Sequence, residues 1–185
     1  VRPEVGAVGA RLIYPNGTIQ HAGVVLGIGG VAGHAFKYFD HDELGYFNRI
    51  QIQQEMSAVT AACLLVSRDL YRKVGGLDEV DLQVAFNDVD FALRVKAAGY
   101  KIIYAAHVVL YHHESASRGH DDDTVETSER LRREADVMRA RWGDVLKNDP
   151  AYNLNLTLKH ETVEMAERSR NPSLHEIRQQ LVEGA

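Results

Sequence analysis

The ten-residue stretch Ala85–Arg94, AFNDVDFALR, constrains the fold of this chain more than any other stretch. Asn87 and Asp88 can cap the first turn of a helix, because their side chains accept hydrogen bonds from the unpaired N–H groups there. Gly99 stands where a left-handed C-terminal cap belongs. Between these ends, apolar residues recur at helical spacing: Val89, Ala92, Leu93 and Ala97. The pattern therefore predicts a helix that begins near Asn87 and ends before Gly99.

The acidic residues of this stretch have different expected roles. A carboxylate at a helix N-terminus stays ionised easily, since the helix dipole and the free N–H groups stabilise the anion. Asp88 is therefore either a helix cap or a fixed anion at the mouth of a site, and the local pattern by itself favours the cap. Asp90, two residues further on, points to nearly the opposite side of a helix. We expect Asp90 to be structural and paired with Arg94, four residues on.

Length and composition describe a single globular domain and exclude two classes of protein. The chain has 185 residues, of which 45% are hydrophobic and 25% charged, enough for one domain with a real core. The net charge of −5 argues against a general nucleic-acid binder. There is no run of 18 apolar residues, so the sequence predicts no transmembrane segment.

The cysteine content and the first residues bear on where such a protein works. Cys63 is the single cysteine and lies in an apolar run, so we expect it to be a buried small hydrophobe. One cysteine forms no internal disulfide, which favours a reducing, cytoplasmic compartment. The chain starts at Val1 without a methionine or a signal-like region, and we interpret it as a piece of something longer.

The remaining elements follow from periodicity and turn residues. Strands are predicted at 5–14, 24–28, 59–66, 101–104 and 108–111, with 59–66 central and covered on both faces. The Pro15-Asn16-Gly17 turn should join the first two strands as a hairpin. Helices are predicted at 67–71 and 122–142, the second ended by Gly143, with a weakly helical tail at 160–183. The second helix should bury one stripe of residues: Leu131, Ala135, Met138 and Trp142. Glycines at 27–33 suggest a loop, and 34–56 a long surface segment.

The order of several short blocks resembles that of family 2 glycosyltransferases with the GT-A fold. The helix-opening Asn-Asp-Val-Asp and the later Arg94 are similar to the family's acidic motif, usually Glu-Asp-x-Asp. The other matching blocks lie at 5–10, 14–23, 61–66, 74–79 and 111–119. The resemblance implies an α/β fold, a partial GT-A domain with a mixed sheet flanked by helices. Residues 1–120 would form its acceptor- and metal-side half, and 121–185 a helical extension and tail.

The resemblance implies a catalytic role for Asp88. It matches the general base that removes a proton from the acceptor hydroxyl, a role that needs only modest tuning of the pKa. Asn87, Asp90 and Arg94 would then belong to the acceptor site or support it. Asn87 departs from the family, which usually has glutamate there. The implied reaction transfers a sugar from a nucleotide-sugar donor to a glycan acceptor, as in O-antigen enzymes of the rhamnosyltransferase type.

The histidine pair His112 and His113 matches a family position that helps to hold a divalent metal, Mn²⁺ or Mg²⁺. Neutral imidazole suits such ions, and the metal acts as a Lewis acid on the leaving diphosphate. Strand alternation directs the two rings to opposite faces, so only one of them should face the site. The resemblance favours His113. Ser117 and Arg118 match the loop that closes near the diphosphate, where a guanidinium suits phosphate oxygens.

The family's metal-binding Asp-x-Asp has no convincing counterpart. The three candidate pairs are Asp40 with Asp42, Asp88 with Asp90, and Asp121 with Asp123. The first lies in the long loop without the expected preceding strand, the second lies on a helix, and the third is explained as a helix start. The nucleotide-binding half would then precede Val1. We therefore expect no tight sugar-nucleotide binding, no bound metal and no transfer from this chain alone.

Two other functions compete with the transferase. A non-catalytic carbohydrate-binding or interaction remnant is favoured by Asn87 and by the absence of a nucleotide-binding half. A small metal-dependent hydrolase built on His112 and His113 lacks the fixed-spacing ligand helix of such enzymes. As partners, the transferase would have a nucleotide sugar and a glycan acceptor. Uncovered apolar surface favours a homodimer over a monomer, and the location would be the cytoplasm or the inner face of the membrane.

Overall fold

The computed structural model describes residues 2–113 and 125–172 and shows an α/β fold: a curled mixed sheet with flanking helices. The α/β class with a C-terminal helix is as predicted. The strands are β1 Val5–Ile13, β2 Ile19–His21, β3 Val24–Leu26, β4 Ala32–His34, β5 Gln54–Met56, β6 Leu64–Val66 and β7 Lys101–Tyr111. The helices are α1 Arg68–Lys73, α2 Asn87–Ala97 and α3 Val125–Lys147. Among the described helices, none combines the length and apolar character that a membrane span requires.

The long strand β1 organises the main sheet. Its neighbours are β7 on one side, in parallel, and β2 and β6 on the other, both antiparallel; β5 adds to the outer edge of β7. A strand of small and apolar residues can be covered on both faces. Gly9 shows how close that cover is, because a Cβ built there would lie 2.5 Å from the side chain of Val59.

The two strands predicted at 101–104 and 108–111 are one strand, β7. Against β1, Ala10 faces Ala105 but Arg11 faces Val109, so residues 106–108 form a bulge. A bulge inserts extra residues without ending the ladder and re-aims the residues beyond it. The gap between the two predicted strands therefore corresponds to an irregularity within one continuous strand. Beyond the bulge β7 leads directly to His112.

The prediction of a central strand at 59–66 is wrong. Residues Ala61–Cys63 form a 3₁₀ turn, and only Leu64–Val66 are extended, pairing with β1. The turn begins because the Thr60 hydroxyl accepts a hydrogen bond from the Ala62 N–H. Leu65 is 72% exposed, so this strand is not covered on both faces. Cys63 is only half-buried.

The turn Pro15-Asn16-Gly17 is a hairpin turn, but it connects β1 to β2 and not to the strand at 24–28. Asn16 Oδ1 accepts hydrogen bonds from both the N–H and the hydroxyl of Thr18, and Gly17 takes φ 87°. The segment 24–28 instead contributes β3, which pairs with β4. The glycines predicted as a loop form the turn of this second hairpin and its β4 strand.

The segment 34–56, predicted to lie on the surface, contributes to the core. Phe36 and Ile50 are fully buried, and β5 closes one edge of the main sheet. The burial requires an irregular path, since Phe36, Tyr38 and Phe47 all have positive φ. Hydrophobic periodicity does not detect such a segment, because turns separate its buried side chains and their spacing matches neither a helix nor a strand.

Helix α1 begins as predicted and runs to Lys73, past the predicted end at Tyr71. The Ser67 hydroxyl accepts a hydrogen bond from the Leu70 N–H, and Gly75 and Gly76 follow with positive φ. Helix α3 buries Ala135 and Met138 of its predicted stripe, with Leu131 and Trp142 half-buried.

Two predictions for the C-terminal region are wrong. Gly143 does not end α3, because buried Leu146 continues the apolar side by one more turn. The predicted tail helix is absent from residues 160–172, which form turns and one isolated bridge in the part of the chain that the structure describes. Residues 114–124 and 173–185 lie outside the described residues.

Candidate functional site at the start of helix α2

The first turn of α2 is entered through a strained residue. Phe86 adopts φ 60° and ψ 2°, a left-handed conformation that is costly for an aromatic residue. Its carbonyl accepts the first helical bond from the Asp90 N–H at 2.9 Å. Phe86 therefore occupies the cap position, and the expectation that Asn87 or Asp88 caps the helix is wrong.

Asp88 is half-buried, and backbone amides hold its carboxylate. Oδ2 accepts a hydrogen bond from the Ala61 N–H at 3.1 Å, and Oδ1 accepts one from the Val89 N–H at 2.8 Å. The Ala61 amide belongs to the 3₁₀ turn between β5 and β6, far away in sequence. The turn and the helix start thus form one small unit around the carboxylate.

Asp90 lies on the other side of the same helical turn and is 1% exposed. Its oxygens accept hydrogen bonds from Arg94 Nε at 2.8 Å and from Trp142 Nε1 at 2.9 Å, with Arg141 at 3.5 Å. The predicted pair of Asp90 with Arg94 is confirmed. Arg94 also donates to the Val74 carbonyl and, at 2.7 Å, to the Gly76 carbonyl. This buried cluster ties α2 to α3 and to the loop after α1.

Acidic residues of this region also hold the loop before α2. Glu134 of α3 is buried and accepts hydrogen bonds from the amides of Val84 at 3.2 Å and Ala85 at 2.6 Å. Asp78 pairs with Arg141 at 2.6 Å. Hydrogen bonds from the Asp81 backbone and from Arg141 lower the pKa of Asp78 to about 2. The chain entering the candidate site is therefore anchored on α3.

Behind the Ala61 turn lies a buried histidine that the sequence analysis did not select. His21 is 0% exposed; its Nδ1 lies 3.0 Å from the Ala10 carbonyl, and its Nε2 accepts a hydrogen bond from the Thr60 N–H at 3.1 Å. Burial, with a contribution from nearby His34, lowers the pKa of His21 to about 3. The ring is therefore neutral at physiological pH.

A series of contacts continues from His21 to His112. The rings of His21 and His34 meet edge to face, with centroids 5.1 Å apart. His34 Nδ1 donates to the Gln20 carbonyl at 2.8 Å, and His112 Nδ1 donates to Gln20 Oε1 at 2.9 Å. A continuous series of contacts through His21, His34 and Gln20 therefore connects the region of Asp88 with His112.

The two predicted metal-binding histidines differ in environment. His112 is half-buried, and its backbone N–H continues the sheet by donating to the Ile13 carbonyl at 2.9 Å. His113 is exposed. In the described ranges 2–113 and 125–172, the group of three residues placed to share a metal ion is Asp40, His41 and Asp42, not the histidine pair. The predicted diphosphate-loop residues Ser117 and Arg118, and the Asp121–Asp123 pair, lie outside the described residues.

Sequence reasoning missed the supporting residues of this site: Gln20, His21, His34, Glu134 and Arg141. Gln20 and His21 carried a usable signal, because two polar residues stand between the apolar residues Ile19 and Ala22. Polar side chains in such a run need internal partners when they are buried. Glu134 gave no such signal, since a glutamate on a helix is ordinarily solvated.

Two relatives have sequences similar to this chain. "Uncharacterized protein y4gI" of Sinorhizobium fredii (strain NBRC 101917 / NGR234) is 54% identical over 158 residues, which is 85% of this chain and 17% of the relative. "O-antigen biosynthesis protein RfbC" of Myxococcus xanthus is 41% identical over 162 residues, which is 85% of this chain and 12% of that protein. The chain thus spans less than a fifth of either relative. No protein-family profile matches the chain. No solved structure matches it.

Proposed function

We propose that this chain is the acceptor-side half of a family 2 glycosyltransferase of the GT-A type, working within a longer protein of cell-surface polysaccharide synthesis. The printed name of the Myxococcus relative supports the polysaccharide role. The small share of each relative that the chain covers supports the place within a longer protein. The single cysteine is consistent with a reducing, cytoplasmic compartment.

The contrast between Asp88 and Asp90 carries the proposal. Asp90 is buried and fully engaged by an arginine and an indole, which is the setting of an architectural ion pair. Asp88 is half-buried, and backbone amides orient it beside a residue in a strained conformation. Strained backbone is concentrated at functional sites. Of the two acids, Asp88 is therefore the one placed to react.

In the proposed reaction Asp88 acts as the general base. An acceptor hydroxyl oxygen bonds to the anomeric carbon of the donor sugar as the bond from that carbon to the diphosphate oxygen breaks. The hydroxyl proton passes to the Asp88 carboxylate as the new bond forms. The Ala61 and Val89 amides keep the carboxylate in one orientation while this happens. The nucleoside diphosphate leaves with the bonding electron pair.

Of the two histidines, we infer that His112 faces the metal in place of His113, which the resemblance favours. The residues around His112 fit an open metal site better than a closed one. His112 donates from Nδ1 to Gln20, which leaves Nε2 as the atom suited to a metal, and a hydrogen-bonded second nitrogen is the usual support of a metal-bound histidine. A bound Mn²⁺ or Mg²⁺ would supply Lewis-acid stabilisation of the diphosphate. His112 and His113 offer too few ligands for a structural site, so the remaining ligands would come from the nucleotide sugar.

The test of the proposed function is Asp88→Asn in the full-length protein. Because asparagine keeps a hydrogen-bond acceptor but is not a base, transfer should fall by about 10²–10⁴-fold. Asp136→Asn is the matched control, since Asp136 is an exposed aspartate of α3 that pairs with Arg139 at the surface. Transfer by Asp88→Asn within threefold of the unchanged protein would refute the assignment and favour a non-catalytic, carbohydrate-binding role.

A second experiment tests the half-domain interpretation. We expect calorimetric titration of the 185-residue chain with UDP-, GDP- and dTDP-sugars plus Mn²⁺ to show no micromolar binding. The physical reason is that a diphosphate needs charge neutralisation from a metal, backbone amides or basic side chains, and the family's metal-binding Asp-x-Asp has no convincing counterpart in this sequence. Micromolar binding of any donor would place the nucleotide site within these residues.

Sedimentation of the same sample tests the proposed homodimer, for which exposed Leu65 and Tyr111 provide apolar surface.

A further inference from the structure

His21 has no access to solvent, yet it is a polar residue with two defined partners on different elements. It ends β2, its Nδ1 faces the Ala10 carbonyl of β1, and its Nε2 faces the Thr60 N–H. A carbonyl only accepts and an amide N–H only donates. The ring must therefore carry its proton on Nδ1 and present the lone pair of Nε2 to Thr60.

The Thr60 amide that His21 holds begins the turn that holds Asp88. Thr60 accepts from the Ala62 N–H through its hydroxyl, and the intervening Ala61 N–H donates to Asp88 Oδ2 at 3.1 Å. Three consecutive amides thus have one partner each: the His21 ring, the Asp88 carboxylate and the Thr60 hydroxyl. If His21 were unable to accept, the first of these amides would be buried without a partner and the turn would be free to shift.

We propose that His21 is a positioning residue for Asp88, setting the direction of the Ala61 N–H through its hydrogen bond to Thr60. The inference rests on the proposed function, because Asp88 is its reacting group. His21 itself lies behind the turn and need not touch the acceptor. A displacement of about 1 Å in a reacting group lowers the rate of an enzyme by up to about 10²-fold.

Two substitutions separate the two hydrogen bonds of His21. An asparagine amide reaches the position of Nδ1, so His21→Asn keeps the donor to Ala10 and loses the acceptor for Thr60. A glutamine amide reaches the position of Nε2, so His21→Gln keeps the acceptor for Thr60 and loses the donor to Ala10. Each variant leaves one buried backbone group unpaired, so their stability losses should be similar.

In the full-length protein, His21→Asn should lower kcat about 10–100-fold with the donor KM within threefold. His21→Gln should stay within threefold of the unchanged kcat. Tyr152→Phe, which deletes the buried hydrogen bond from Tyr152 to the Thr157 carbonyl, controls for lost stability and should leave kcat unchanged. Equal kcat values for the two His21 variants, whether low or high, would overturn the proposal.

A measurement on the unchanged 185-residue chain tests the same geometry without any activity. ¹⁵N NMR should show His21 with its proton on Nδ1 and a hydrogen bond from the Thr60 amide to Nε2, and the opposite tautomer would overturn the proposal. In His21→Asn, exchange of the Ala61 amide should accelerate at least about 10-fold relative to His21→Gln; equal rates would overturn it. Active Asp88→Asn protein would refute the proposed function, whereas active His21→Asn beside inactive Asp88→Asn would refute this inference alone.

Discussion

The two sides of the first turn of α2 hold their carboxylates in opposite ways. On one side, Asp88 is half-buried and accepts hydrogen bonds from the backbone amides of Ala61 and Val89. On the other, Asp90 is buried and surrounded by the side chains of Arg94 and Trp142. Backbone amides orient a carboxylate without adding a full counter-charge. An arginine neutralises it.

This difference separates the acid that can act as a base from the acid that maintains the architecture. An ion-paired, buried carboxylate such as Asp90 is out of reach of a substrate hydroxyl, but removing it from its pair is strongly destabilising. A carboxylate held by backbone amides at a half-buried position remains within reach of a substrate hydroxyl. The support behind each side also differs, since the Asp88 side depends on the neutral ring of His21 and the Asp90 side on charged Arg141.

The largest stability effect should come from Asp90→Asn. Removing one partner of a buried ion pair leaves Arg94 without its counter-charge, so the free energy of unfolding should fall by about 3–5 kcal/mol. Asp88→Asn in the same chain should cost about 1 kcal/mol or less, because asparagine still accepts from Ala61. Urea unfolding of both variants provides the measurement. A larger loss for Asp88→Asn would reverse the assignment of the two sides.

Mild acid should lower the free energy of unfolding through His21, the buried ring behind Asp88. The pKa of His21 is lowered from its ordinary value of 6.5 to about 3, so between these values the unfolded chain binds a proton that the folded chain does not. Stability therefore falls as pH falls through this window, by up to about 1.4 kcal/mol per pH unit from this group. Plotted against pH, the free energies of unfolding of the unchanged chain and of His21→Gln should converge between pH 6.5 and 4.5. A constant difference between the two would contradict a buried, neutral His21.

Trp142→Phe should weaken the Asp90 side moderately. It deletes the indole hydrogen bond to a buried carboxylate, worth about 1.5–3 kcal/mol in the free energy of unfolding. The same substitution made on top of Asp90→Asn should cost less, because the charged acceptor is already gone. Additive losses in this double-mutant cycle would mean that Trp142 contributes by packing alone.

The smallest effect concerns the partly exposed pair of Asp78 and Arg141. The pKa of Asp78 is lowered from 3.8 to about 2, so its contribution is present above about pH 4 and is lost as pH falls through 2. The stability difference between the unchanged chain and Asp78→Asn should therefore narrow over this range. A constant difference would show that Arg141 stabilises the region through Asp90 instead.

The sequence determined the local features of this protein. Helix α2 and its glycine end, the Ser67 cap of α1, the turn at Asn16 and the pairing of Asp90 with Arg94 all arise within a few residues of one another. Such features depend on backbone preferences and on side chains one helical turn apart. They were predicted because their physical cause lies within the window that a sequence pattern covers.

The surroundings of Asp88 depend on contacts between segments that are distant in sequence. Thr60 and Ala61 leave the predicted strand for a turn, Phe86 takes the cap position from Asn87, and His21 meets Thr60, which lies 39 positions further along the chain. Each outcome depends on satisfying buried donors and acceptors from distant segments, a constraint that exists only once the segments are packed together. Local propensity gives no information about that constraint, because the competing hydrogen-bond partners are brought together by the fold.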